Sequence, residues 1–369
     1  PGSEGLTFGE KENKMGIRAS ETRAVYFDKV VVPPENVIGE LGKGFKIAMN
    51  VLNSGRLSLG SGCVGGMTNI IKLSVDHAKN RKQFGAAIAN FGLIQEKIAH
   101  MNALTYAVES VVYLTTGNIN NGMSDYSLES AICKVFGSES LWTVVDTGLQ
   151  IAAGNGYMRE YPYERIMRDA RINLIFEGTN EILHCLIALS GMKGPSESLK
   201  DLGKISDVSK ALLDPIKSLG VLTDFAKRRI NNIFNSRSLT KAHESLSEES
   251  EYFSELLSAF AIQVENTLIK DGKNIIGNEF PQARIANIAI ELYVQLAVIS
   301  RTTSILNNSD INEDKKSYVL SLGKLALKDS RYKAISNLKS MTKNSDKEIK
   351  KISDLVCKYD GYGLDIVDY

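Results

Sequence analysis

The feature that most constrains the fold is a helical repeat of apolar residues that begins at Gly44 and continues with few interruptions. Segments 44–79, 91–121, 125–153 and 179–191 carry apolar residues at spacings of three and four, and Gly, Asn and Pro punctuate the breaks. This spacing puts the apolar residues on one side of each helix. Four such helices joined by short connections predict an antiparallel four-helix bundle.

The same pattern returns after a polar stretch at 192–207, whose Gly and Pro are typical of a linker. Segments 208–237, 245–275, 278–308 and 312–341 predict a second helical unit. A chain of 369 residues is long enough for two units and a sizeable core.

Residues 1–40 have a β pattern instead. Val25 and Phe27 alternate with polar neighbours, the run 30–32 is apolar, and Pro33-Pro34 ends it. So short a segment cannot close a sheet alone, and the chain starts without Met, so we expect the end of a β domain from a longer protein. The predicted fold is therefore mainly α: the end of a β domain, an antiparallel four-helix bundle and a second C-terminal helical domain. The corresponding boundaries are 1–40, 41–192, 193–244 and 245–369.

Composition excludes several classes of function. The net charge of +1 gives no overall attraction to nucleic acid. The sequence has no run of about 18 apolar residues, so we expect no membrane span. The cysteines and histidines are scattered, so we predict reduced thiols and neither a disulfide framework nor a metal site. They are Cys63, Cys133, Cys185, Cys357, His77, His100, His184 and His243.

Glu177, in "NLIFEGTNEIL", has two interpretations. Thr179 or Asn180 can cap a following helix, and an acid before a helix favours its positive dipole end, so the local pattern favours a structural role. Against this, Ile175 and Phe176 flank the acid, and burial raises the pKa of a carboxyl group towards the range that a general base needs.

Four further motifs are weak individually. "NRKQFG" presents Arg81 either to a helix dipole or to a diphosphate, and "QIAAGNGY" at 150–157 is a single glycine turn. Arg56 in "LNSGR" suits a salt bridge, and "YPYERIMRDARI" at 161–172 suggests a structural ion network.

Taken together and in their order along the chain, the motifs "LNSGR", "RKQFG", "FGLIQEKIA", "QIAAGNGY", "YPYERIMRDARI" and "FEGTNEIL" resemble those of the acyl-CoA dehydrogenase flavoproteins over about residues 5–190. The N-terminal "KMGIRASETRAVYFDKVVVPPENVIGE" resembles the end of that family's middle β domain. The remaining residues resemble the extra helical domain of the very-long-chain branch, to which family member 9 belongs.

The resemblance implies that Glu177 is the catalytic base for the α,β-dehydrogenation of a long-chain acyl-CoA. The base removes the pro-R α-hydrogen as a proton, the β-hydrogen leaves as hydride to N5 of FAD, and a trans-2-enoyl-CoA forms. The thioester carbonyl is polarised by the backbone N–H of the base and a ribityl hydroxyl of FAD. Some family members carry the base before the arginine instead, where this chain has Gly55, which cannot act.

The resemblance also assigns binding residues. Two departures from the family pattern affect the flavin: Ala153 replaces the first of two glycines, where its methyl group crowds the approach to the pyrophosphate, and His184 replaces an arginine. The predicted substrate contacts are Asn53, Ser54, Gly55, Arg56, Phe176 and Gly178. The predicted FAD contacts are Arg81, Gln83, Phe84, Gln150, Gly154, Thr179, Asn180 and Glu181.

The resemblance implies electron-transfer flavoprotein as the partner that receives the electrons. It also implies a second subunit, because Arg81 and the Gln150–Gly154 turn match residues that bind the FAD of the neighbouring subunit. Residues 198–243 carry nine Lys or Arg but four Asp, interleaved with apolar residues. This segment could bind to an anionic membrane surface, or it could be a solvated linker followed by a core helix. The resemblance favours the matrix side of the mitochondrial inner membrane. It also leaves an alternative, a complex I assembly factor that uses the dehydrogenase fold for docking.

Overall fold

The computed structural model describes residues 2–203 and 239–364, with the backbone alone for 193–203. The helix predicted at 208–237 and most of the basic segment 198–243 lie outside the described residues. The described part is mainly helical, which confirms the predicted fold class.

The helices of the first unit match the predicted segments closely. The prediction of a linker from residue 192 is wrong as far as residue 203, because the last of these helices continues to that point. Lys, Glu, Ser and Leu in this stretch are compatible with a helix even though they carry no apolar repeat. The helices are α1 (Gly44–Asn80), α2 (Gly92–Asn120), α3 (Ser127–Ala152), the short α4 (Gly154–Tyr157), α5 (Tyr163–Arg171) and α6 (Asn180–Gly203).

The second unit contains α7 (Ser247–Asp271), α8 (Glu279–Leu306), α9 (Glu313–Ser340) and α10 (Asp346–Lys358). The first three agree with the sequence, and the Asn312 side chain caps α9 by accepting the N–H of Lys315. The sequence analysis missed α10. This helix is amphipathic and buries no residue, so it lacks the long apolar stripe that marked the others.

The strands are short. β1 (Leu6–Phe8) pairs antiparallel with β2 (Val25–Phe27), and Thr7 lies opposite Tyr26. The apolar run 30–32 forms no strand. A second hairpin, β3 (Lys82–Gln83) with β4 (Ala86–Ala87), follows α1 directly.

Helices α1 and α3 run in the same direction in direct contact, and α2, which connects them in the sequence, packs against both. A Cβ atom on Gly60 would lie 2.9 Å from the carbonyl oxygen of Cys133, and one on Gly148 would lie 2.6 Å from the Ile70 side chain. Glycine at these crossings therefore allows the two backbones to approach. The N-terminal ends of α1 and α3 lie at one end of the bundle and their C-terminal ends at the other.

Helix α8 joins the two units. It runs antiparallel to α2, with hydrogen bonds of 2.9 Å between the hydroxyls of Tyr106 and Thr302 and between those of Thr115 and Tyr293. By length and composition α8 is apolar enough to cross a membrane, contrary to the expectation from the sequence. Much of the helix is buried inside the protein, as for a core helix of a soluble domain.

The charged motif at 161–172 ties the N-terminal segment to the bundle, in agreement with its predicted structural role. Arg168 pairs with Glu164 at 2.7 Å and donates to the Met15 carbonyl, while the Ile17 N–H donates to Asp169. Gly16 lies against the Arg168 backbone, where a Cβ would be only 2.4 Å from the carbonyl oxygen.

Candidate active site

Glu177 lies in a loop with unusual backbone geometry. A 3₁₀ turn at Ile172–Leu174 precedes it and α6 begins at Asn180. Glu177 has φ +61° and Gly178 has φ +95°, both in the left-handed region. That conformation is natural for glycine but costs a non-glycine residue about 1 kcal/mol or more, and such residues cluster at functional sites. Residues 175–179 are called the Glu177 loop below.

The Glu177 carboxylate lies against α1 at Gly55. A Cβ atom on Gly55 would be 2.9 Å from Oε2 and 3.2 Å from Oε1 of Glu177. The Oε2 atom is buried and has no hydrogen-bond partner among the described residues. An acceptor left without a donor is costly in a structural role, so this carboxylate is suited to receiving a proton. The absent side chain at Gly55 provides the space it occupies.

Arg56 lies beneath the loop and is only 4% exposed. Its Nε donates to the Glu177 carbonyl at 3.2 Å and its Nη1 donates to Oδ1 of Asn53 at 3.1 Å. Burial lowers the pKa of Arg56, and the nearby Glu177 carboxylate partly offsets that effect. The structure thus gives Arg56 and Asn53 a role in supporting the loop, and the predicted contact with CoA stays a prediction.

The sequence analysis missed Lys134, which is completely buried on α3. Its Nζ donates to the Gly178 carbonyl at 2.8 Å and to Oδ1 of Asn180 at 2.6 Å. Burial lowers the pKa of Lys134 to about 8, against the favourable charges of Glu139 and Glu181. The available signal was a lone lysine inside the apolar stretch "SAICKVFG".

Asn180 does not cap α6 with its side chain, which instead reaches α3. Its Nδ2 donates at 3.1 Å to both Ser138 Oγ and Glu139 Oε1. Of the two residues expected to cap the helix, Thr179 alone keeps that position, directly before α6. The buried Asn180 side chain therefore fixes the start of α6, and its predicted FAD contact stays a prediction.

Three other predicted contacts lie in the loop or next to it. Phe176 is 40% exposed, and the exposed Ser54 is 2.9 Å from the Tyr126 hydroxyl. The pKa of Glu181 is lowered chiefly by its own backbone N–H and also by the Thr179 hydroxyl, and burial partly opposes this shift. These side chains leave an open, partly apolar surface beside the carboxylate.

The remaining predicted FAD contacts lie at the other end of the bundle. Arg81 follows the C-terminal end of α1, 25 positions after Arg56, so the rise of 1.5 Å per residue separates the two by about 37 Å. Gln150 is similarly about 24 Å from Lys134 along α3. These cofactor turns, residues 81–84 and 150–154, are exposed except for the buried helical residues Ile151 and Ala152, and Phe84 is 94% exposed.

Ala153 has the backbone conformation of a glycine, with φ +51° and ψ −129°. A Cβ atom on the neighbouring Gly154 would have no atom within 4 Å, so the backbone there is open to a ligand. The described residues contain no group of three metal-binding side chains.

His184 connects α6 with the second unit. Its Nδ1 is 2.7 Å from the Asn180 carbonyl and its Nε2 is 2.9 Å from Asn287 Oδ1, while Asn287 donates to Asn337 on α9. The residue that replaces the family's arginine is thus part of the contact between the units.

Two family descriptions match the chain. Residues 42–192 match "Acyl-CoA dehydrogenase, C-terminal domain", and residues 244–362 match "ACAD9/ACADV, C-terminal domain".

Among curated proteins, the very long-chain specific acyl-CoA dehydrogenase of Bos taurus mitochondria is 44% identical over 82% of this chain and 46% of its own length. The chain thus spans about half the length of the curated relatives it matches. The acyl-CoA dehydrogenase of Bacillus anthracis, solved in complex with FAD, has a TM-score of 0.76 and 30% identity over 99% of this chain and 62% of its own. The butyryl-CoA dehydrogenase of Megasphaera elsdenii has a TM-score of 0.51 and 38% identity, covering 52% of this chain and 50% of its own. The chain belongs to the acyl-CoA dehydrogenase family, and it carries the C-terminal helical domain of that family followed by the additional domain of the ACAD9/ACADV type.

Proposed function

We propose that this chain is the C-terminal part of an FAD-dependent dehydrogenase that converts a long-chain acyl-CoA to the trans-2-enoyl-CoA. The observation that carries the proposal is the Glu177 carboxylate, which lies in a strained loop with a buried oxygen that has no described partner. The relatives named above act on acyl-CoA or are described as acyl-CoA dehydrogenases, which supports the same chemistry here.

Glu177 accepts the α-proton of the substrate in this proposal. The C–H bond at the α-carbon breaks, its electron pair forms the new double bond, and the proton goes to the carboxylate. The backbone N–H of Glu177 donates to no carbonyl among the described residues, so it is available to polarise the thioester oxygen. Arg56 and Lys134 bind the two carbonyls that follow this N–H, those of Glu177 and Gly178, and leave the N–H for the substrate.

FAD supplies the acceptor for the β-hydride when it is bound. The chain's residues fit this cofactor in two respects: the backbone at Gly154 is open, and the Arg81 guanidinium is exposed for a diphosphate. Because the cofactor turns are remote from Glu177 along the helices, they suit the FAD of a second subunit better than the FAD beside their own base. A homodimer with shared sites is therefore part of the proposal.

The direct test is Glu177→Gln in the full-length protein. We expect the variant to bind flavin and acyl-CoA but to reduce the flavin more slowly by on the order of 10³-fold, because the amide cannot take the proton. Flavin bleaching in a stopped-flow experiment with palmitoyl-CoA measures this rate.

Glu265→Gln is a matched control, since Glu265 on α7 is also half-buried with a buried oxygen that lacks a described partner. The control is expected to keep the normal rate. Near-normal flavin reduction by Glu177→Gln would remove Glu177 as the base.

Several finer parts of the proposal come from the resemblance and the relatives' names. These are electron transfer to electron-transfer flavoprotein, a mitochondrial location on the matrix side of the inner membrane, and a preference for long chains. The mitochondrial relatives support the mitochondrial location, and the membrane side comes from the resemblance alone. The alternative role in complex I assembly stays a prediction, and co-purification of the protein with complex I intermediates from mitochondrial extract tests it.

A further inference from the structure

We propose that Lys134 is a positioning residue for the Glu177 loop, which it holds through the carbonyl oxygen of Gly178. The inference rests on the proposed function of Glu177, and it adds a residue that does not touch the substrate. Lys134 lies on α3, outside the loop, and its ammonium group donates a hydrogen bond to the loop.

No salt bridge among the described residues explains the burial of this lysine, since Glu139 and Glu181 favour its charge without pairing directly with it. Both of its hydrogen-bond partners are neutral oxygens, one on Gly178 and one on Asn180. The orientation of the Asn180 amide is fixed, because its nitrogen donates to the Glu139 carboxylate, which can only accept. A buried ammonium facing neutral acceptors is expensive, so its benefit must lie in the geometry that it imposes.

The imposed geometry concerns two consecutive carbonyls. Arg56 on α1 holds the carbonyl of Glu177, and Lys134 on α3 holds the carbonyl of Gly178. Glu177 and Gly178 both have positive φ, a conformation that a glutamate does not keep unless other contacts maintain it. Without Lys134, the peptide after Gly178 is free to rotate, because glycine tolerates a wide range of backbone angles.

Small movements of the loop matter because the carboxylate has little space. It fits where a Cβ atom on Gly55 would be only 2.9 Å from Oε2. A base displaced by about 1 Å from its productive position can lose on the order of 100-fold in rate. Lys134 is therefore expected to affect proton abstraction and not the binding of the acyl-CoA.

The experiment compares Lys134→Met and Lys134→Gln in the full-length flavoprotein. Methionine fills the space without a donor, whereas glutamine retains a neutral NH₂ donor group on a side chain one bond shorter than that of lysine. We expect flavin reduction by saturating palmitoyl-CoA to slow by about 10- to 100-fold in Lys134→Met and less in Lys134→Gln. The dissociation constant of palmitoyl-CoA is expected to stay within about threefold, because hydrogen bonds to the substrate are unchanged.

Two further measurements separate positioning from a general loss of stability. Amide hydrogen exchange is expected to accelerate at residues 176–180 in Lys134→Met while the α1–α3 core stays protected. Cys133→Ala, a buried neighbour on the same helix that does not contact the loop, is expected to lower the thermal midpoint without slowing flavin reduction.

A normal reduction rate in Lys134→Met overturns the inference, and so does a loss of rate that follows the thermal midpoint equally in all three variants. These results are distinct from failure of the proposed function, which shows as normal turnover in Glu177→Gln. An inactive Glu177→Gln with a fully active Lys134→Met removes only the role of Lys134.

Discussion

The Glu177 loop and the cofactor turns are both made of short backbone segments at helix ends, yet they are built in opposite ways. The loop is supported from α1 by Arg56 and from α3 by Lys134, both buried. The turns at 81–84 and 150–154 are largely exposed, and Phe84 contacts Phe91 only at its edge, with the ring centres 6.2 Å apart. The comparison indicates that the chain itself completes the geometry of the base, whereas the cofactor turns are completed by groups outside it.

This difference has an energetic consequence. In the loop, removing a support leaves a partly buried carbonyl without its donor, which costs about 1 kcal/mol and also moves the base. At the exposed turns, removing a side chain leaves its neighbours in water, so the cost to folding is small. Variants of the two regions should therefore separate the chemical step from the binding of the cofactor.

Among variants that keep Glu177 itself, Gly55→Ala is expected to have the largest effect. The new methyl group would be 2.9 Å from Oε2 of Glu177, so the carboxylate must move, and we expect flavin reduction to slow by on the order of 100-fold. Stability should not fall in parallel, because alanine is favoured over glycine in a helix by about 1 kcal/mol.

Gly65→Ala on the same helix is the control for Gly55→Ala. A Cβ at Gly65 meets nothing within 4 Å, so this variant should gain stability and keep the normal rate. An unchanged rate in Gly55→Ala would mean that the carboxylate can act from another position. The Glu177 loop would then not be held in a single geometry by Arg56 and Lys134.

The sequence predicted the loop better than it predicted what supports it. Glu177, Gly55 and Arg56 follow from local motifs read with the family resemblance, and the structure brings these three residues together. Lys134 is 43 positions away from Glu177, and no local pattern shows that a lone lysine on an apolar helix faces a carbonyl. Long-range contacts of this kind depend on how the helices cross, which periodicity does not specify.

Arg81→Gln is expected to have a smaller effect, on flavin affinity. Loss of a charged hydrogen bond to a phosphate costs about 1.5 kcal/mol, which corresponds to roughly a tenfold weaker binding of FAD. The thermal midpoint of the flavin-free protein should not change, since Arg81 is exposed. Fluorescence titration of the flavin-free protein with FAD measures the affinity.

Lys79→Gln is the control for Arg81→Gln, because Lys79 is an exposed cation in the last turn of the same helix and has no predicted cofactor contact. Equal loss of flavin affinity in both variants would indicate a general effect of charge, and Arg81 would lose its assignment.

The fold shows the same limits of prediction. Six long helices agree with the apolar repeat, which depends on local spacing alone. The role of α8 as the contact between units was missed, because the polar pairs Tyr106–Thr302 and Thr115–Tyr293 join residues far apart in sequence. The same holds for His184, which was interpreted through the family pattern and instead bonds Asn287 on α8.

Ala153→Gly is expected to have the smallest effect. It tests two properties of the cofactor turn separately, namely its backbone strain and its affinity for FAD. Ala153 has φ +51° and ψ −129°, so glycine should relieve strain and stabilise the protein by about 1 kcal/mol. Ala152→Gly is the control: Ala152 is the buried last residue of α3, and loss of its methyl group should destabilise the protein by about the same amount. Chemical denaturation of the flavin-free protein measures both changes, and a loss of stability in Ala153→Gly would contradict the strain. If FAD also binds more tightly to Ala153→Gly, the methyl group of Ala153 obstructs the pyrophosphate. If stability rises and the affinity stays the same, the methyl group costs only backbone strain, and the turn approaches the cofactor from the open side at Gly154.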